Sequence, residues 1–502
     1  VTSWTGTNGF NLDRDFSADG AGSLLDLASL THLERSGGSN TSDLRINATD
    51  GGTVDLSGLA AFADNVSGVN GRLVIGANGS GAKVLLPGVT ALTDADLSVR
   101  DGGQITGQLV TLGGRSSLTL RSTGVIDLAA LVNADNATLV AEDGGLLDLG
   151  TASIDQADLI ARKGFLGSGG AVLTTSVTSW TGTNGFNLDR DFSADGAGSL
   201  LDLASLTHLE RSGGSNTSDL RINATDGGTV DLSGLTAFAD NVSGVNGRIS
   251  VSATGAGSAI DLGQLAALDN ANVTIADTAS VDLGNLTAFA GGTLALTSTD
   301  GAAADLHVGD SLHLGTGGVL DVDGSSASLV IGPGAPAAGV DGAVVVAFGG
   351  ALSGSGSVVG TLINDGLVGP GNSPGTLTVD GDYQQNPGAI LDIEIGGSDQ
   401  GITYDLLAIL GSALLAGDVE VSLFDGFVPN LGESFVFLEA AGGISGTFDN
   451  IFCTSCAGVV FELFHGADFV SLTAVAAPVP LPAGAWLLLA PAGFVLARRR
   501  RA

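Results

Sequence analysis

The sequence predicts an all-β fold: a parallel, right-handed β-helix with a short C-terminal hydrophobic helix. Three observations point there. The composition suits short strands and tight turns, a long segment is duplicated, and an apolar-Asp-Leu triplet returns in a 21-residue register.

The chain has 502 residues, 80 of them glycine and only 5% aromatic. Glycine follows no three-residue period, which excludes collagen. A hydrophobic fraction of 44% excludes a disordered acidic tail, which could not carry so much apolar side chain. Many Val, Leu, Ile and Thr between glycine-rich breaks describe strands joined by turns.

Residues 1–72 recur at 177–248 with one change, Ala60 against Thr236. Near-identity over that length marks a recent copying event within an array. Beneath it runs the finer repeat: Leu25-Asp26-Leu27, Val54-Asp55-Leu56, Ile126-Asp127-Leu128 and Leu147-Asp148-Leu149. Beyond the duplication come Leu201-Asp202-Leu203, Val230-Asp231-Leu232, Ile260-Asp261-Leu262 and Val281-Asp282-Leu283. Val84-Leu85-Leu86 and Ile105-Thr106-Gly107 hold the register without the acid. Steps of 29, 30, 21, 21 and 21 residues, then 29, 30 and 21, fit a solenoid with inserted loops.

Asp-Gly-Gly at Asp50, Asp101, Asp143 and Asp226 precedes a triplet by four residues, where glycine supplies the positive φ of a corner. Alternation turns the flanking apolar residues inward and the Asp outward. Three strands and three corners use about 21 residues, one coil of a β-helix. A dozen or more coils at roughly 4.8 Å would make a rod on the order of 60–80 Å long. An array of β-sandwiches would show turns every 8–12 residues but no constant 21-residue register.

Eighteen Lys and Arg against 53 Asp and Glu leave a formal net charge of −35. Such a surface repels phosphate backbones, so nucleic acid is not an expected partner. Methionine is absent, and Val1 falls inside a repeat, so the expectation is that the natural start and any export signal lie upstream. Cys453 and Cys456 suggest a local disulfide in an exported protein, and are too few for a zinc site.

From about residue 345 the texture changes. Gly349-Gly350-Ala351-Leu352-Ser353-Gly354-Ser355-Gly356-Ser357 leads to Gly369-Pro370-Gly371-Asn372-Ser373-Pro374-Gly375-Thr376-Leu377, then to Gly381-Asp382-Tyr383 and Gly446-Thr447-Phe448. This order resembles the C-terminal β-helix stretch of autotransporter passenger domains over roughly residues 345–450. The resemblance implies a stable cap that closes the solenoid. The membrane β-barrel of a full autotransporter does not follow in this sequence.

Val479-Pro480-Leu481-Pro482-Ala483 precedes an apolar run from Gly484 to Val495, then Arg498, Arg499, Arg500 and Arg501. The run is a marginal membrane span, and the arginines would hold its end on the cytoplasmic side. Together these features resemble the VPLPA variety of the PEP-CTERM sorting signal. The resemblance implies a Gram-negative, exopolysaccharide-producing cell and an exosortase-like enzyme acting near the Pro-rich motif. A tail anchor that stays on the mature chain is the alternative. The expected organisation is thus solenoid repeats over 1–345, a cap region over 346–475 and a sorting segment over 476–502.

Parallel β-helices also carry polysaccharide-cleaving enzymes, so a carbohydrate-active enzyme is the rival reading. Lyases need clustered acids with Ca²⁺ and a basic residue, and glycosidases need paired acids at set distances. The repeats instead carry one recurrent Asp, with few cations and few aromatics, so no catalytic residue and no organic cofactor is expected. His307, Asp310 and His313 would need a turn to share a metal, and read as surface residues. Stacking of Asp26 on Asp55, and of Asp127 on Asp148, would put like charges about 5 Å apart. Asp26, Asp55, Asp127, Asp148, Asp202 and Asp231 are therefore weak candidates for Ca²⁺ binding, against a plain solvated acidic surface. The expected function is structural: a surface or secreted adhesin-like solenoid, associated with exopolysaccharide or other cell surfaces.

Overall fold

The computed structural model describes residues 1–7, 13–37, 43–66, 71–164, 169–183, 189–213, 219–242, 248–297, 304–308, 311–316, 318–323, 327–331, 342–371, 374–456 and 458–477. The chain is a parallel β-helix. All described regular structure is strand.

One coil of the second repeat copy shows the construction. Leu220–Thr225 forms the first face, Thr229–Asp231 the second and Ala237–Val242 the third, before Ile249–Thr254 starts the next coil. On the first face Leu220 pairs with Ile249 and Ile249 with Ala271, all parallel. Among the described residues eighteen first-face strands stack in this way, from Arg14–Asp19 to Asn450–Cys453. At roughly 4.8 Å per rung they span on the order of 80 Å. In the 21-residue coils Asp96 stands opposite Ser117, and Ser117 opposite Thr138.

The core follows from alternation. Leu220, Ile222 and Ala224 are buried while Arg221, Asn223 and Thr225 are part-exposed. Inward residues stack on their equivalents: Ile222 on Val251, then Val273, Leu294 and Leu320. Each such Val, Ile or Leu contributes about 1.5–3 kcal/mol of burial. Only a neighbouring coil can cover it, so the stack is stable as an array rather than coil by coil.

The Asp-Gly-Gly corners work through all three residues. Asp226 and Gly227 both have positive φ, 51° and 87°, the mark of a type I′ turn, and the Gly228 N–H donates to Thr225 O at 3.0 Å. Gly228 serves a different purpose: a Cβ there would lie 2.2 Å from Ala194 O of the preceding coil. The first glycine answers a backbone conformation, the second a close approach.

The parallel ladders cross residue 345 without interruption, Ser311–Leu314 pairing with Ala343–Val346 and that strand with Thr361–Asn364. At the C-terminal end the mode changes. Phe469–Ala476 pairs antiparallel with both Ser434–Ala440 and Val459–His465. Edge-to-face rings sit beneath these strands, Tyr404 on Phe435 at 5.3 Å and Phe435 on Phe461 at 6.2 Å.

Candidate functional surface

The recurrent Asp lies outward, as alternation requires. Asp202, Asp231, Asp261 and Asp282 form an unbroken in-register column on the second face, and Asp26 pairs with Asp55. Elsewhere the column changes character. Asp55 faces Leu85, Asp148 faces Thr174, and Thr174 faces Asp202.

Each of these acids has a local task that the repeat pattern did not disclose. Oδ1 of Asp26 accepts the Ala28 N–H at 3.0 Å, and the same bond recurs two residues on at every triplet. Asp55 accepts from Ser57 at 2.9 Å, Asp127 from Ala129 at 3.0 Å and Asp148 from Gly150 at 2.9 Å. Asp202 accepts from Ala204 at 3.2 Å, Asp231 from Ser233 at 2.9 Å, Asp261 from Gly263 at 2.9 Å and Asp282 from Gly284 at 2.8 Å. These are Asx-turns, which satisfy a corner N–H that no ladder reaches. The corner closes one residue later, Leu235 N–H donating to Leu232 O at 2.8 Å. The signal was in the sequence as Asp-Leu-x-x-Leu. The exception supports the reading: where the triplet is Val84-Leu85-Leu86, the residue two after Leu85 is Pro87, which has no N–H to cap.

Asp127 and Asp148 do not stack as expected. Val125–Ile126 pairs only with the preceding coil, and Leu146–Asp148 only with the following one. The strand at Val125–Ile126 is two residues long, so Asp127 already belongs to the corner. Among the described residues no three His, Cys, Asp or Glu side chains gather as a metal site. His307 and His313 fall on different faces, in Ala304–Val308 and Ser311–Leu314; Asp310 lies outside the described residues.

Sequence reasoning missed two polar groups between residues 364 and 420. Tyr383 is buried with its hydroxyl donating to Gln385 Oε1 at 2.6 Å, while Gln385 Nε2 donates to Asp418 O at 2.9 Å and Asn364 Nδ2 to Ile390 O at 3.0 Å. Burial pushes the Tyr383 phenol well above its ordinary range. Asp405 is 1% exposed and accepts the Gly375 N–H at 2.8 Å and the Glu394 N–H at 2.7 Å, tying Gly375 to the next coil. Burial outweighs those bonds and pushes its carboxyl up to about 7. Burial, with Glu420 and Glu394 nearby, pushes Asp392 up to about 6, and Asp392 stands in register with Glu420. Nothing in the 21-residue register marks these positions.

Cys453 and Cys456 are joined as a disulfide, Cα to Cα 5.7 Å, at the end of the last first-face strand. Val479, Pro480, Leu481, Pro482, Ala483, the apolar run and Arg498, Arg499, Arg500 and Arg501 lie outside the described residues. Among the described residues no helix is long and apolar enough to cross a membrane.

No protein-family model matches the chain, and no curated protein does. Among solved structures, the crystal structure of the Haemophilus influenzae Hap adhesin is similar at a TM-score of 0.30 and 12% identity. That similarity covers 93% of this chain and 59% of the Hap chain, so this chain spans less than two thirds of that length.

Proposed function

We propose that the chain is an exported structural solenoid, adhesin-like, that works as a rigid spacer and contact surface at or beyond the cell surface of a Gram-negative bacterium. The observation that carries this is the uninterrupted first face, from Arg14–Asp19 to Asn450–Cys453, in which every coil repeats the same geometry. Its outward columns are short polar side chains in register, Ser193 on Asn223, then Ser252 and Thr274. A flat lattice of hydroxyls and amides suits weak, many-point contact with hydrated polymers such as exopolysaccharide. The net charge of −35 keeps neighbouring rods apart.

Residues 479–501 supply the address in this reading, through an exosortase-like enzyme and a transient stay in the inner membrane. Intact-mass analysis of protein from the envelope and medium of the native host tests it. Loss of the segment beyond Ala483 supports sorting; a mature chain still ending at Ala502 removes the exosortase step.

A second reading, a β-helix carbohydrate-active enzyme, draws on Asp392 and Glu420. These are paired acids, one with its carboxyl near 6, in the manner of a general acid. Against it, residues 249–497 contain no Lys or Arg to serve as a base or substrate clamp. Release of new reducing or unsaturated sugar ends from acidic polysaccharides, lost in Asp392→Asn, would establish it.

A further inference from the structure

Among the described residues the second face is continuous except at one junction. Elsewhere each corner Leu N–H donates to the next coil, as Leu203 does to Asp231 O at 2.8 Å and Leu232 to Asp261 O at 3.0 Å. Each strand start donates to the coil before it, as Val125 does to Gly103 O and Val172 to Gly145 O, both at 2.9 Å. Between the coils of Val125–Ile126 and Leu146–Asp148 neither bond forms: Leu128 N–H does not reach Asp148 O, and Leu146 N–H does not reach Gly124 O. The same two coils are tightly joined on the other faces, Ser117 to Thr138 and, by a parallel bridge, Asn133 to Ser153. The break is therefore local, a cleft lined by Ile126, Asp127, Leu128, Leu146, Leu147 and Asp148. Its rim is apolar and solvent-facing, with Val125 53% and Leu146 63% exposed.

Two open strand edges facing each other are matched by one chemistry above others, a polypeptide backbone that supplies alternating donors and acceptors. Asp127 and Asp148 stand on opposite walls, each with Oδ1 held by its own corner. We propose that this cleft is a peptide-binding site, which takes a short extended segment of a partner protein carrying apolar and basic side chains in alternation. The backbone of the segment completes the interrupted ladder, its apolar side chains turn inward between Ile126 and Leu147, and its cations turn outward to the two carboxylates. The cleft lies outside the duplicated residues 1–72 and 177–248, and the junctions within the second copy are paired, Leu200 to Thr229 and Thr229 to Ala259.

The test uses a fluorescein-labelled Arg-Val-Arg-Val-Arg-Val amide and the full chain, read by anisotropy at about 0.15 M salt, where diffuse attraction is screened beyond roughly 8 Å. One control peptide has N-methyl groups on alternate amides, which keeps every side chain and removes backbone donors. The variants Asp127→Asn and Asp148→Asn retain the corner acceptor and lose only the charge; Asp282→Asn is the matched control on the same face. The expected result is saturable binding, weakened about tenfold or more by N-methylation and about five-fold by either cleft variant, with Asp282→Asn unchanged. Leu146→Pro, which deletes an N–H facing the cleft, abolishes binding provided its melting transition is retained. Absence of saturable binding, equal binding of the N-methylated peptide, or equal loss in Asp282→Asn overturns the proposal in favour of an empty defect or nonspecific charge attraction.

Discussion

Arg211 and Asp240 form a two-pronged ion pair inside the solenoid, Nε to Oδ1 at 3.0 Å and Nη2 to Oδ2 at 2.7 Å. They are register partners on adjacent coils of the third face, with side chains 1% and 5% exposed. Asn270 of the next coil donates to the same Asp240 carboxylate. Three coils are thereby joined through charge. Asp240→Ala removes the carboxylate from a buried guanidinium and should cost about 3–5 kcal/mol. Replacing both partners by leucine and valine should cost much less. Urea unfolding of the two variants side by side checks this.

The corner acids make a second prediction. Asp231→Ala removes the acceptor for the Ser233 N–H and should destabilise by about 1 kcal/mol. Asp231→Asn keeps that acceptor and relieves the like charges of Asp202 and Asp261, its neighbours in the column. It should be neutral or stabilising, and its melting temperature should rise less with added sodium chloride than that of the parent chain.

Asp405 and Asp392 set a pH dependence. Both carboxyls are raised in the folded chain, to about 7 and about 6, so the fold binds protons that the unfolded chain has released. Their contribution is fully present below the ordinary Asp range and is lost as pH rises through 6 to 7. Stability should therefore fall between pH 4.5 and 7.5. Asp405→Asn should flatten that fall, although it gives up the bond from the Glu394 N–H. Melting curves across the range decide it.

The disulfide acts locally. Thr454 N–H donates to Val421 O at 3.2 Å and Leu423 N–H to Ser455 Oγ at 2.6 Å, so the Cys453–Cys456 loop is hooked onto the Asp418–Leu423 strand. A loop this short confers about 2 kcal/mol in the chain-entropy picture. In a Cys453→Ser, Cys456→Ser chain, amide exchange should quicken at Leu423 and Thr454 and stay unchanged at Val251 and Val273. Uniform loss of protection would show that the loop supports the whole rod.

Two turn glycines, Gly228 of an Asp-Gly-Gly corner and Gly388 of an Asn-Pro-Gly turn, should respond differently to alanine. Gly228→Ala drives a methyl group against Ala194 O and should separate two coils, whereas Gly388, with positive φ but nothing within 4 Å, meets only backbone strain. Denaturation midpoints should fall further for Gly228→Ala.

Much of this architecture is legible in the residues. The triplets mark the second face, the Asp-Gly-Gly runs mark the corner before it, and alternation sets the inside and outside of each strand. The Asp itself was legible only in part. Its outward direction follows from period two, but its bond to the N–H two residues on emerges only when the chain actually turns there. Asp405 and Tyr383 leave no periodic trace. Their partners lie in neighbouring coils, at separations set by loop lengths rather than by the repeat.

The duplicated residues separate what sequence determines from what the tertiary structure decides. Trp4 and Phe16 meet edge-to-face at 5.2 Å, and their copies Trp180 and Phe192 at 5.1 Å, because identical neighbours build identical coils. Phe192 lies between Leu159 and Ile222 of the flanking coils, and it and Trp180 are fully buried. A local sequence specifies strand, corner and pairing register, since these depend on φ, side-chain period and short-range hydrogen bonds. Burial in a solenoid is a property of the stack: it depends on a coil being present on either side, and no single repeat encodes its neighbours.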